Sequence, residues 1–109
     1  SNFHLVFLLK LTGFLGFRPG LNFSASHCSF NLREGVYQDY LQGSAHCLSP
    51  EISRVFFQLS TTDLENHHQI DLSTNLRREL LEKIIAYYRF HIDGLGEIKS
   101  HHVLETVLS

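Results

Sequence analysis

Apolar residues recur along this chain at helical spacing in several stretches, separated by polar or glycine-bearing segments. The longest patterned stretch is Ser73–Asp93, STNLRRELLEKIIAYYRFHID. On a helical wheel Leu76, Leu80, Leu81, Ile84, Ile85, Tyr87, Tyr88 and Ile92 fall on one arc. That arc is about half the circumference, wider than the roughly 100° stripe of a helix resting on one neighbour. A face so broad predicts a helix clasped by several elements. Ser73 caps its start, and Gly94 and Gly96 end it. Glu79 and Lys83 are spaced as a favourable i,i+4 pair. Two residues inside the arc differ from it in kind: Arg77 near the start and His91 near the end.

The other stretches fit around this helix. Phe3–Phe17 (FHLVFLLKLTGFLGF) reads as a helix apolar nearly all round, the pattern of a bundle's central element. Gly13 and Gly16 are expected there for close backbone approach, and Arg18-Pro19-Gly20 stops the helix. After a polar loop, residues 30–40 predict a hairpin, with Phe30, Leu32, Val36 and Tyr40 as its apolar set and Glu34-Gly35 at the turn. Ser49-Pro50-Glu51 is a helix start, with serine as cap and proline at the first position. That helix runs to about Ser60 and buries Ile52, Val55, Phe56 and Leu59. Residues 61–72 read as a polar connection, and Ser100 opens a short last helix to about Leu108. The pattern predicts a mainly α fold, a small helical bundle of about four helices with one β-hairpin excursion.

Composition sets bounds on this picture. At 109 residues the chain is one small domain, and its 43% apolar and 18% charged residues are those of a folded protein. Net charge is −2, so no basic field covers the chain and strong nucleic-acid binding by it alone is not expected. The run Leu5–Leu9 is far short of the ~20 residues of a membrane span, so no membrane partner is expected. Two cysteines are too few for a disulfide framework. The chain starts inside an apolar segment, which predicts a piece of a longer protein with Ser1-Asn2 as an expression scar.

Candidate chemistry is sparse. His27-Cys28 and His46-Cys47 bracket the hairpin and supply four N/S donors, the number of a tetrahedral zinc site. Adjacent His-Cys pairs lack the two-residue spacer of a zinc knuckle, so unligated thiols and surface histidines are the better account and no metal is expected. His67-His68 and His101-His102 read as solvated pairs, since neither has the i,i+4 spacing of a helical metal site. His91 reads as a satisfied core histidine. No serine or cysteine lies in a nucleophile context and no glycine-rich phosphate loop occurs, which argues against an enzyme. Arg77 has two readings: a packed stem whose guanidinium reaches water or a carboxylate such as Glu51 or Glu105, or an anion-reading arginine at the rim of an apolar pocket. Arg78, Lys99, Arg18 and Lys10 could add charge beside it.

Three segments resemble the C-terminal part of the RecO family of bacterial recombination mediators. FHLVFLLKLTGFLGFRPGLN is similar to the family's central helix with its leucine-glycine-aromatic stop. FNLREGVY stands in the place of the family's zinc-binding insertion. LRRELLEKIIAYYRFHIDGLGEIKSHHVLETVL is similar to the penultimate helix, the glycine-containing link and the Lys-Ser start of the last helix. The resemblance implies a partial C-terminal helical domain over 1–109, without the N-terminal OB-fold and first helices. It implies a non-enzymatic, cytoplasmic and nucleoid-associated DNA-repair role in recombinase loading and strand annealing. The implied partners are the acidic tail of single-stranded DNA-binding protein, the mediator RecR, and single-stranded DNA bound mainly through the N-terminal domain. Arg77, Arg78, Lys99 and Arg18 are the expected anion contacts. Many members carry cysteine pairs for zinc at the insertion; only Cys28 and Cys47 stand here. Many also place an arginine where this chain has Ser1-Asn2. Two other readings of the residues are an unrelated helical interaction or scaffold module and a zinc-dependent nucleic-acid-processing enzyme.

Overall fold

The computed structural model describes residues 2–41 and 45–92, so the expected last helix, Gly94, Gly96 and Lys99 lie outside the described residues. Within them the order is helix α1 (Phe3–Leu15), strands β1 (Ser29–Asn31) and β2 (Val36–Gln38), helix α2 (Pro50–Ser60), a 3-10 helix (Leu64–Gln69) and helix α3 (Thr74–His91). The fold is mainly helical with a two-stranded antiparallel hairpin, as the pattern predicts.

The helix starts form as their cap residues dictate. The Ser49 hydroxyl accepts from the Ile52 N–H with Pro50 at the first position, and the Ser73 hydroxyl accepts from the Leu76 N–H. Satisfying an otherwise orphaned first-turn N–H in this way is worth about 1 kcal/mol per cap. At the other end of α1 the chain turns through Gly16, whose φ of 94° is left-handed. This lets the N–H groups of Gly16 and Phe17 both donate to the Thr12 carbonyl, at 3.0 and 2.9 Å. Gly13 departs from expectation. A Cβ placed on it would meet no atom of the described residues within 4 Å, so none of them approaches it closely.

The wide face of α3 is clasped as its pattern requires. Leu80, Ile84, Tyr87 and Tyr88 are buried, while Leu76, Leu81, Ile85 and Ile92 pack half-buried around them. The Tyr88 hydroxyl donates to the Leu8 carbonyl at 2.5 Å and ties α3 to α1, and the Tyr87 hydroxyl donates to the Phe17 carbonyl in the chain just after α1. His91 lies face to face with Phe17 and has Nε2 2.9 Å from the Leu32 carbonyl, a satisfied inward histidine. Glu79 and Lys83 do not close; the ion pair among the described residues is Lys10–Asp63 at 3.9 Å.

Two elements face differently from the pattern. In α1 only Leu5, Val6, Leu8, Leu9 and Thr12 are buried, whereas Phe3, Phe14 and Leu15 are exposed. The helix is therefore one wall of the described bundle, not its centre. In the hairpin the register pairs Phe30 with Tyr37, so these two share the inner face and Val36 points out. Asn31 shapes the turn: its Oδ1 accepts from the N–H groups of Arg33 and Glu34, each at 2.9 Å, and Gly35 takes φ 76°. The free edge of β2 is closed by the Asn22 amide, which donates to the Tyr37 carbonyl at 2.8 Å and accepts from its N–H at 2.9 Å. On the far side of β1, Cys47 forms an antiparallel bridge with Asn31.

The connection 61–72 is more ordered than its polar composition suggests. Its 3-10 helix is held by Asn2, whose side-chain N–H group donates to the His67 carbonyl at 3.0 Å and also to that of Ile70. Asn2 is buried and packs against this segment. His67 lies edge-on to Phe3 and is half-buried; only His68 is the solvated residue expected of both.

Ser53 joins α2 to the hairpin. Fully buried, its hydroxyl accepts from the Phe30 N–H at 2.8 Å and donates to the Leu48 carbonyl at 3.3 Å. Ser53→Ala leaves that N–H without a partner, while the Leu48 carbonyl keeps the Ser29 hydroxyl at 2.6 Å. The expected cost is about 1–3 kcal/mol. Urea unfolding of the variant measures it, and a change below about 0.5 kcal/mol would contradict this role for Ser53.

Candidate functional site

The end of α1 and the chain that leaves it build a cleft of about 360 Å³. Its apolar walls are Leu9, Phe14 and Leu21, and Lys10 and Arg18 stand at it as cations. Each is there for a local reason. Leu9, Lys10, Gly13 and Phe14 share one side of α1 by the i,i+3 and i,i+4 rule. Gly16 then turns the backbone, and Pro19, buried, brings Arg18 and Leu21 back across the helix end. Ser60, the last residue of α2, closes the other side, its hydroxyl donating to the Phe57 carbonyl at 2.9 Å.

Phe14 is 90% exposed, so a large ring stands at the cleft with almost no cover. Lys10 is the better-sheltered cation, and its ammonium is held 3.9 Å from the Asp63 carboxylate. Behind Ser60 lies Tyr37, fully buried, whose hydroxyl makes no hydrogen bond of good geometry even though the Ser60 hydroxyl is close enough to act on it. Burial pushes the Tyr37 phenol well above its ordinary pKa, and the nearby Ser60 hydroxyl offsets part of that rise. The cleft thus combines apolar walls with the cations of Lys10 and Arg18.

The structure separates the residues that the sequence grouped. Arg18 is at this cleft. Arg77 and Arg78 are at the start of α3, whereas Phe17 meets α3 at Tyr87, Tyr88 and His91. From Arg77 to Tyr87 is about 15 Å of helix at 1.5 Å per residue. Arg78 is exposed; Arg77 is half-buried, its guanidinium 3.5 Å from the Thr74 hydroxyl and unpaired with Glu51. Lys99 lies outside the described residues. Gly13 and Phe14 join the cleft without any charge to mark them; the glycine inside a helical pattern is the one sequence feature that points to this spot.

A second groove of about 540 Å³ runs along α2 beside the start of α3. Glu51, Asp71 and Arg54 all line it, so its walls carry charges of both signs.

The four candidate zinc donors do not converge. Cys47 stands opposite Asn31, three residues along the strand from Cys28, a distance of about 10 Å at strand spacing. The His27 ring has Nδ1 3.2 Å from both the Ser24 and Ser26 hydroxyls, and the His46 ring meets the edge of Phe90. Both thiols are free, and no group of three or more His, Cys, Asp or Glu side chains is placed to hold an ion among the described residues.

A family model described as recombination protein O C terminal matches residues 1–101. The chain belongs to that family. An unrelated helical module is thereby set aside. Curated relatives in the RecO family agree along the whole chain. The DNA repair protein RecO of Flavobacterium psychrophilum is 33% identical over 109 residues, covering 100% of this chain. That of Christiangramia forsetii is 32% identical over 107 residues, and that of Azobacteroides pseudotrichonymphae is 30% identical over 107 residues, each covering 98% of this chain. The chain spans about 44% of the length of each of these relatives. No solved structure matches. Among the described residues no helix is long and apolar enough to cross a membrane.

Proposed function

We propose that this chain is the C-terminal helical domain of a DNA-repair mediator, and that its cleft takes the acidic, phenylalanine-terminated tail of single-stranded DNA-binding protein. The observation that carries this reading is the cation-rimmed apolar cleft at the end of α1. A terminal phenylalanine needs an apolar floor, supplied by Leu9, Phe14 and Leu21. Burying a phenylalanine side chain is worth about 1.5–3 kcal/mol. The carboxylates beside it need donors of fixed positive charge, supplied by Lys10 and Arg18. The domain's work is then attachment: it brings the rest of the mediator to coated single strands, where recombinase loading and strand annealing follow with RecR and with DNA bound elsewhere in the protein. It carries out no covalent chemistry and needs no metal, in keeping with a cytoplasmic, nucleoid-associated role.

Fluorescence anisotropy with a labelled acidic peptide ending in Asp-Phe tests the reading. Affinity on the order of micromolar is expected, decreasing as salt is added. Arg18→Ala removes a charged hydrogen bond worth about 1.5–3 kcal/mol and should weaken binding at least about tenfold. Arg77→Ala, at the start of α3 and not among the residues lining the cleft, should change it less than about twofold. No binding at low salt, or binding indifferent to Arg18, overturns the assignment.

A further inference from the structure

Gly13 has no structural reason to be glycine. It sits inside α1, where glycine is unfavourable relative to alanine. Left-handed backbone explains Gly16 and Gly35, but Gly13 is not among the residues of positive φ. Helix termination does not explain it either, since Gly16 ends α1. Among the described residues close packing does not explain it, because a Cβ there would meet none of their atoms within 4 Å. What remains is the cleft, which Gly13 lines. The empty space over its Cα is the cleft's own volume.

We propose that Gly13 is the specificity-determining position of this cleft, leaving bare helix backbone as a flat floor for the planar ring of an acidic ligand. The inference rests on the cleft's assignment to an acidic, aromatic-ended peptide and adds what selects the ring. Position 13 follows Leu9 by four residues and Lys10 by three, so a side chain there would rise between the apolar wall and the cation. Any branched or long side chain would take the place of the ring, whereas the carboxylates reach Lys10 and Arg18 from outside. Glycine therefore separates two recognition elements: ring selection depends on it, and charge recognition does not.

The test compares two acidic peptides that differ only in ending, Asp-Phe or Asp-Ala, on the 109-residue chain and its variants. The unsubstituted protein should prefer the Phe ending by at least about tenfold, the scale of one buried ring. Gly13→Leu should collapse that preference to within about twofold, chiefly through lost affinity for the Phe-ended peptide. Arg18→Ala should weaken both peptides. Gly13→Ala keeps the experiment decisive if leucine disturbs folding. It should raise Tm by about 4–8 °C because alanine favours helix, yet reduce the Phe preference about threefold. A stabilised Gly13→Ala protein that keeps its full preference, with Arg18→Ala still weakening both peptides, would overturn the role of Gly13 alone. Failure of the unsubstituted protein to bind either peptide would overturn the peptide assignment, and this inference with it.

Discussion

Phe30→Ala is expected to lower the stability of the 109-residue chain by about 3–5 kcal/mol, the range for a buried phenylalanine cut to alanine. Phe30 is 0% exposed and is the point at which three elements meet. Its ring stacks on Phe56 of α2 at 4.5 Å, tilts against Tyr37 of β2 at 4.8 Å and meets Tyr87 of α3 at 5.5 Å. Alanine would remove all three contacts at once, and aromatic pairs add about 0.5–1.5 kcal/mol each beyond their buried area. The cavity would also be hard to close, because the backbone of Phe30 is pinned on both sides by the Ser53 hydroxyl and the Leu48 N–H. Domains of this size are stable by only about 5–15 kcal/mol, so the loss is about a fifth of the total or more. Urea unfolding followed by circular dichroism gives the number, and Phe30→Leu should cost much less because it keeps most of the volume. A loss below about 1.5 kcal/mol for Phe30→Ala would mean that the hairpin is not structurally coupled to the helices.

The helical part of this arrangement is legible in the sequence because it is set locally. Ser49-Pro50 and Ser73 fix two helix starts through bonds within the first turn, and the arc on α3 names its buried face almost residue by residue. Features that depend on distant partners are not legible. The 3-10 helix has a polar, loop-like composition, and its ordering contact comes from Asn2, 65 residues upstream of His67. In the hairpin, Val36 and Tyr37 are equally plausible inner residues by type. The choice is made by the register with Phe30 and by Asn22, which occupies the edge of β2. The site follows the same division. Lys10 and Arg18 stand out as charges, but only the turn at Gly16 brings the second back toward the first. Arg77, prominent on the wheel because it interrupts an apolar arc, lies on α3 well away from them. An interruption in a pattern marks an unusual residue; shared location has to come from the tertiary path.

Above pH 10 the protein is expected to unfold cooperatively, driven by three tyrosines. Burial pushes the phenols of Tyr37, Tyr87 and Tyr88 well above the ordinary value near 10, and Tyr87 raises the other two further. The sign follows from linkage. A group whose folded pKa is raised contributes stability that is fully present below the unfolded pKa. That stability is lost as pH rises from there through the folded value. Between those limits the unfolded chain gives up protons that the folded chain keeps. Each phenol then costs about 1.4 kcal/mol per pH unit, and the three together about 4. A stability of about 5–15 kcal/mol would be exhausted within a few units of pH 10, with the steepest loss set by these groups. The geometry explains why they resist ionisation: Tyr87 and Tyr88 donate to the carbonyls of Phe17 and Leu8, and a phenolate would turn each donor into a second acceptor facing an oxygen. In a Tyr40→Phe background the phenolate absorbance near 295 nm reports only these three residues. It should rise in one step that coincides with loss of the helical signal. Tyr88→Phe should reduce the dependence from about 4 to about 3 kcal/mol per pH unit, at the expense of one α1–α3 hydrogen bond. Phenolate forming gradually while the helical signal persists would show that these hydroxyls reach solvent in the folded chain, and the tie between α1 and α3 would then have to rest on packing alone.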